Sequence, residues 1–599
     1  MTAPKILRTM GWGRWLRALP LGRPWLTLLA LLLVAWLVAA ACGGGGDDSA
    51  PASQSAEDSD RGERDSGRDD GDGQSADQAE SDQADQSDQP RPAAPAARQS
   101  GVLRIARGEP ITLDPALVSD VTSASFVVEI FGGLVSLDPD LNIIPDLAEA
   151  LPTVRNNADG TVTYTFVLRR DALFQNGRRV TAADVKWSIE RHAAPETLSP
   201  TAIDYIGDIV GARDYIRNQI DEIEGIQVID ERIVEITVDG PKPYFLAKLT
   251  YPTAFVVDRN QVESDPNNWT RNPNGTGPFK LAEWRLGEQI VLEPFDRYHL
   301  GPAKLDSVQI RFAGGGLTQY ENDEVDIADV NVNDIESVRT PGTALNAEFV
   351  SRSELGVFYL GFNTKQPPFD DPRVRRAFGH AIDKETINTV VLQEVLPVAE
   401  GIIPPGLPGF DENFRGLSFD PDLAVQLIED SNYAGSPLLE GIRLTISGAG
   451  ATPGPVIEAI QQMWLENLGI AVEIQQVETA NFFQELDRGL YQLFNIGWIV
   501  DYPDPENILD LKFFSGSRQN DADYTSDEVD ALLLQARTEQ NVQTRIDLYR
   551  RVEDILVNED AVWIPLFFSQ TNQVVKPYVE GYVPPRSVVP ILRFITIAE

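Results

Sequence analysis

The chain has 599 residues, too long for one hydrophobic core, so two or three domains are expected. Hydrophobic residues make up 42% of it, with 10 Trp and 25 Phe available for cores and an aromatic-lined cleft. A net charge of −41 excludes a phosphate-binding surface for nucleic acid. The single cysteine, Cys42, excludes disulfides, thiolate metal sites and a cysteine nucleophile from residue 43 onward.

In chain order, Lys5, Arg8, Arg14, Arg17 and Arg23 precede an uncharged run from Trp25 to Ala41. A basic region, an apolar region and small residues before a cleavage point make a secretory signal peptide over 1–41. Ala39-Ala-Ala-Cys42 followed by four glycines resembles a bacterial lipoprotein box, although Ala39 stands where that pattern prefers Leu. The resemblance implies cleavage before Cys42 and lipidation of its thiol and new amine. An uncleaved transmembrane anchor is the alternative, at the short end of spanning length. Both readings place the remainder outside the membrane, and the basic flank agrees with the positive-inside rule.

Residues 43–100 contain 15 acids, 5 arginines and no Val, Ile, Leu, Phe, Trp or Tyr. Such a segment has no apolar area to offset ordering entropy and is expected to be a disordered tether, 42–100 with its cysteine, spanning about 40 Å or more. An acidic calcium- or partner-binding tail is the other reading.

From residue 101 strands and helices mix, which predicts α/β lobes. Thr161 to Leu168 alternates as a strand after the turn Asp159-Gly160. Asn176-Gly177 marks another turn, and Thr181 with Asp184 begins a helix as a capping box. Asp371-Pro372 opens a further helix. Ala459–Leu468 reads as a helix ending at Gly469, followed by a strand over Ile470–Ile474. Arg545–Val557 reads as an amphipathic helix and Ala561–Phe568 as a buried strand.

No motif supports an enzyme. His192, His299 and His380 are far apart in sequence, and no His-Glu-x-x-His, Gly-x-Ser-x-Gly or phosphate-cradling Gly-x-x-x-x-Gly-Lys occurs. Gly314-Gly-Gly316 reads as a loop. With 91 acids, carboxylate pairs arise by accident, so a tethered hydrolase stays a remote reading. No metal and no cofactor are expected.

A series of segments, in order, resembles the family of bacterial extracytoplasmic solute-binding proteins, family 5, which includes the oligopeptide and dipeptide receptors. It begins with Thr112-Leu-Asp-Pro115, Phe131-Gly-Gly-Leu-Val135 and Ile144-Pro-Asp-Leu-Ala-Glu149. It continues through Tyr164–Arg169, Phe174-Gln-Asn-Gly177, Val180–Val185, Gly275-Thr-Gly-Pro-Phe279, Trp284 and Val325-Asp-Ile327. Leu360–Thr364, Pro368–Ala377, Ala381-Ile-Asp383 and Gly497-Trp-Ile-Val-Asp-Tyr-Pro-Asp-Pro505 complete it. Gln175-Asn176 stands where the family usually has His-Asp, in a turn that Asn-Gly serves equally well.

The resemblance implies a two-lobed, periplasmic-binding-protein-like α/β fold with a hinge of paired crossovers. Lobe one would combine 101–145, 260–362 and 570–599, with an added domain at 146–259 and lobe two at 363–569. It implies a solute, above all a short peptide, held between the lobes and handed to an ABC permease with separate ATPase subunits. Oligosaccharides and nickel chelates are the alternatives. Asp501 in Gly-Trp-x-x-Asp matches the residue that pairs with a peptide's α-ammonium, and charge-assisted bonding makes that pairing reasonable. Its other reading is a turn residue before Tyr502-Pro503. Trp498 and Ile499 match cleft-wall positions, and Ser119 and Val121 lie on a loop aligned with a ligand-contacting loop. Asp383, Arg373 and Arg376 read as structural helix-end charges. A monomer is expected.

Overall fold

The computed structural model describes residues 101–448 and 453–598. The expected signal peptide, Cys42 and the acidic tether lie outside the described residues. None of the helices among the described residues is long and apolar enough to cross a membrane.

Three sheets organise the chain. In the first, Val102–Ala106 pairs in parallel with Ser307–Arg311, and Gln289–Pro294 and Phe279–Arg285 follow antiparallel. A second, wholly antiparallel sheet runs in the order Thr153–Asn156, Val162–Val167, Ile233–Val238, Ile226–Val228. The third has six strands, in the order Ile327–Asp329, Trp563–Val575, Phe349–Phe362, Leu493–Ile499, Arg443–Ser447, Glu473–Val477. Its last three strands are mutually parallel, joined by helices such as Pro455–Leu468, while the long central pair is antiparallel. That pair shifts register between Ser353 and Val357, a bulge that bends and twists the strands.

The first two sheets share one core, in which Ile105, Phe126, Phe166, Ile236, Ile290 and Ile310 belong to a single buried cluster. Around the six-stranded sheet lie two large ones, besides a smaller one that includes Ala328 and Val574. Phe362, Phe378 and Trp464 anchor one, and Tyr359, Phe513 and Trp563 the other, with the Tyr359 and Trp563 rings stacked 3.4 Å apart.

Local chemistry sets many element boundaries as expected. Thr181 and Asp184 form the capping box of Ala182–Ala193, and Asp184 is further held by Arg178 at 2.9 Å. Asp371 caps Pro372–His380 by accepting from the Arg373 amide at 3.0 Å, and Arg373 returns a salt bridge to it at 2.7 Å. Asp383 caps the next turn through Thr386. Gly469 ends Pro455–Leu468 with φ +68°, the left-handed turn that glycine adopts at least cost.

Four elements differ from expectation, the first being the helix placed at 459–468, which begins earlier, at Pro455. The strand placed at 470–474 runs instead over Glu473–Val477, because Ile470 and Val472 bury their side chains before the ladder begins. The helix placed at 545–557 starts earlier and covers Val542–Asp554, with a wider turn at Ile555–Glu559. The strand placed at 561–568 covers Trp563–Val575, its polar second half paired with Phe349–Ser353.

Candidate functional site

The strand Leu493–Ile499 ends against the partner strand with Trp498 opposite Val357 and Ile499 opposite Gly356. The chain then bends through Val500–Pro505 into the buried helix Glu506–Phe513. At Gly497 the Phe358 ring packs close, so that a Cβ there would stand 2.8 Å from it and the ring would have to shift.

Asn507 ties this bend together. Its Oδ1 accepts from the Asp501 amide at 2.9 Å and from Trp498 Nε1 at 3.2 Å, and its Nδ2 donates to Asp501 Oδ2 at 3.1 Å. The Tyr205 hydroxyl donates to the same oxygen of Asp501, from the short helix Ala202–Tyr205. Tyr205 is held in turn by stacking on Tyr251, centroids 4.2 Å apart. No protein donor reaches Asp501 Oδ1 among the described residues. Burial pushes the Asp501 carboxyl up to about 6, while the hydrogen bonds from Tyr205 and Asn507 and the charge of Lys512 oppose the rise. A carboxylate in that condition gains most from an added cation.

Asp501 lines a cavity of about 760 Å³, within the range of small-molecule sites. One wall comes from Ser119–Thr122, Leu198, Pro200, Thr201 and Tyr251, and the other from Ile496–Ile499, Phe483, Lys512 and Arg518. All five residues singled out in the sequence, Asp501, Trp498, Ile499, Ser119 and Val121, line this one space. Asp120 between the last two caps the helix Val121–Ile130 by accepting from the Ser123 amide at 2.8 Å, which fixes the loop. Lys512 is buried, paired to Asp521, and sits 4.5 Å from the centre of the Trp498 ring.

Sequence reasoning missed Asn507, Tyr205 and Lys512. Asn507 had a signal, a polar side chain six positions after Asp501 in a stretch bound to turn back. Tyr205 had none, since its contact with Asp501 spans 296 positions.

A second ion-pair cluster stands near this site. Lys248 bridges Glu506 Oε1 at 2.7 Å and Asp208 Oδ2 at 3.1 Å, all three side chains almost fully buried. The three histidines lie apart: His192 Nδ1 meets the Thr253 carbonyl, His299 Nε2 meets Asp146 and His380 Nδ1 meets the Ser418 carbonyl, each at 2.7 Å. Among the described residues no group of three or more His, Cys, Asp or Glu is placed to hold a metal ion.

A two-lobed fold with a half-satisfied carboxylate in its cavity is the arrangement of a solute-binding protein. Residues 142–520 match the model of bacterial extracellular solute-binding proteins, family 5, and the chain belongs to that family. It is 26% identical over 492 residues to the oligopeptide-binding protein OppA of Bacillus subtilis, covering 80% of this chain and 89% of that one. The murein tripeptide-binding protein MppA of Escherichia coli superposes with a TM-score of 0.74 at 26% identity, covering 84% of this chain and 99% of that one. Against the unliganded open form of MppA the score is 0.61, again at 26% identity and covering 84% and 98%. The lobes here therefore stand nearer the former arrangement, consistent with Tyr205 and Lys248 both reaching the 501–506 segment.

Proposed function

We propose that this protein captures a short peptide by its α-ammonium group and delivers it to an ABC importer. The observation that carries the reading is Asp501. Its Oδ2 is filled by Tyr205 and Asn507, its Oδ1 meets no donor among the described residues, and it lines the cavity between the lobes. Ile499, Trp498, Ser119 and Val121 act as walls, and the edge of the strand Leu493–Ile499 offers backbone groups to an extended ligand. The names of the relatives, an oligopeptide-binding and a murein tripeptide-binding protein, support the ligand class.

We divide the chain into a first lobe of 101–145 with 260–362 and 570–599, the added domain 146–259, and a second lobe of 363–569, with Phe349–Phe362 and Trp563–Val575 as the paired crossovers whose pairing runs across the boundary. Cys42 carries the lipid anchor, 43–100 is the tether, and the receptor acts as a monomer outside the membrane. The solute is released unchanged.

The test is a thermal-shift screen of the purified protein against tripeptide pools, N-acetylated tripeptides, oligosaccharides and nickel chelates. At a hundredfold excess over Kd, a true ligand adds about 2.7 kcal/mol to stability. Stabilisation by free peptides that is lost on N-acetylation and in D501A establishes the reading. Stabilisation only by sugars or chelates, unchanged in D501A, overturns it.

A further inference from the structure

A second cavity, of about 620 Å³, adjoins the first and shares Val121, Thr122 and Ile499 with it as a common wall. Its other walls are Leu103 and Ile105–Arg107 at one strand end, Gln570–Gln573 at another, and Val588, Val589, Ile591, Leu592 and Ile595 near the C-terminal end. Much of this lining is aliphatic, contributed by Val332, Val395, Leu396, Val588 and Ile591.

One group in it is incompletely bonded. Glu129, in the helix Val121–Ile130, is 1% exposed. Its Oε1 accepts from the Ile591 amide at 2.8 Å and the Leu592 amide at 2.9 Å, while its buried Oε2 has no hydrogen-bond partner among the described residues. A buried carboxylate oxygen without a donor is costly in a folded protein and calls for one. Glu354 and Asp329 line the same cavity, Glu354 accepting from Thr571 at 2.5 Å and Asp329 from Gln573 at 2.8 Å. Arg107 is the one basic residue of the lining, so three carboxyls stand against one guanidinium.

We propose that this second cavity is a binding site for a compact organic cation, a primary ammonium on an aliphatic body, with Glu129 Oε2 as its receptor and Glu354 and Asp329 as supporting charges. The aliphatic lining takes the hydrocarbon part. Burial lifts the Glu129 carboxyl to about 7, against the Leu592 and Ile591 amides and the charges of Arg107 and Arg593, so a bound ammonium would draw the group back to its ionised form. The same chemistry has two sources: a free alkylamine, or the lysine side chain of a peptide in the first cavity reaching past Val121 and Ile499. The second source alone rests on the peptide reading above.

The purified full chain is titrated calorimetrically at pH 7.5 with n-butylammonium and with the neutral butyramide. The ammonium is expected to bind and butyramide not to bind. E129Q keeps an oxygen for the Ile591 and Leu592 amides and is expected to weaken the ammonium by about tenfold or more, the loss of a charge-assisted bond. E354Q, which leaves those amides untouched, gives a smaller loss and keeps the test valid should E129Q not fold. The titrations are repeated in D501N, which removes the ammonium receptor of the first cavity, so that the binding that remains, and its loss in the Glu129 and Glu354 variants, belongs to the second. In a second arm, tripeptide pairs with lysine or norleucine at each position are compared. Butylammonium that still binds beside a saturating norleucine peptide, and beside its lysine counterpart, supports a free amine. Displacement by the lysine peptide alone supports the side chain as source. Equal binding of ammonium and butyramide, no binding of the ammonium, or affinity unchanged in both E129Q and E354Q overturns the proposal.

Discussion

Tyr205 donates its hydroxyl to Asp501 Oδ2, joining residues 296 positions apart in the chain and completing half of the coordination of the candidate receptor carboxylate. A ligand ammonium then has to fill only the other oxygen. Y205F removes that donor, and hydrogen bonds to charged groups contribute about 1.5–3 kcal/mol. We expect peptide affinity to fall by about tenfold at pH 6.5 and by less at pH 8. The loss of a bond that favours the ionised form lifts the Asp501 carboxyl further above 6, and this matters only where it becomes protonated. Titration calorimetry at the two pH values checks it; an equal loss at both would mean that Tyr205 acts on shape and not on charge.

The unmodified protein should show its own pH dependence. With the Asp501 carboxyl at about 6 in the empty cleft, ammonium binding below that pH has to expel a proton. Affinity is therefore nearly constant from pH 7 to 7.5 and falls about tenfold per unit below about pH 6. Above about 8 it falls again as the ligand's own α-amino group deprotonates. Binding isotherms from pH 5 to 9 test this, and a flat acidic limb would remove Asp501 from the role proposed for it.

The same shift costs stability. The folded-state value of Asp501 is raised, from 3.8 to about 6, so the folded protein binds more protons than the unfolded chain between those values. Stability from this group falls as pH rises through that window, and the penalty is fully present above it. D501N, which cannot ionise, is expected to be more stable than the parent by about 1–2 kcal/mol at pH 7.5, with the gain gone near pH 4. Denaturant melts of both proteins at the two pH values are the measurement. A receptor site bought at the expense of stability should behave so, whereas a purely structural turn aspartate should lose stability on substitution.

How far the sequence carries the reading differs by element. Residues that act on near neighbours were legible: Thr181 with Asp184, Asp371 on its own helix, and Gly469 at a left-handed turn. Gly-Trp-x-x-Asp was legible only through the family resemblance, and its place at the end of the strand Leu493–Ile499 was not. The half-strand Ser569–Val575 was not. Its Gln570, Thr571 and Gln573 line a cavity, and their polarity hid a strand whose backbone pairs with Phe349–Ser353. Tyr205 and Lys248 were illegible for another reason. What they do is set by partners some 250 or more positions away, and no local pattern records such a distance.

Asn507 makes a local and severe case. It is fully buried and holds the Asp501 amide, the Asp501 carboxylate and the Trp498 indole at once. N507A leaves two donors without partners and frees the carboxylate, at about 1–3 kcal/mol for each unsatisfied buried group. We expect a drop in stability of about 3 kcal/mol and loss of peptide binding. N507D should recover the acceptor for Trp498 and the Asp501 amide yet fail to bind, because it sets a second carboxylate beside the first. Recovery of binding in N507D would show that the acceptor alone positions the site.

Lys248 offers a test of what holds the two walls together. Its ammonium lies between Glu506 at 2.7 Å and Asp208 at 3.1 Å, with side-chain exposures of 5% or less. Burial pushes Glu506 up to about 7; Lys248 pulls it back, and neighbouring Asp510 raises it again. K248M leaves Glu506 with no cationic partner among the described residues, while Asp208 keeps Lys242 at 3.9 Å. Removing one partner of a buried pair costs about 3–5 kcal/mol. Glu506 can take up a proton to relieve part of that, so the loss should be larger at pH 8 than at pH 6. E506Q keeps Lys248 paired with Asp208 and should cost less, about 1–2 kcal/mol, with little dependence on pH. In scattering measurements K248M should also expand the peptide-free protein toward a more open form, since the bridge from 248 to 506 then no longer opposes opening. Equal costs for K248M and E506Q at both pH values would mean that packing, and not the ion pair, fastens this seam.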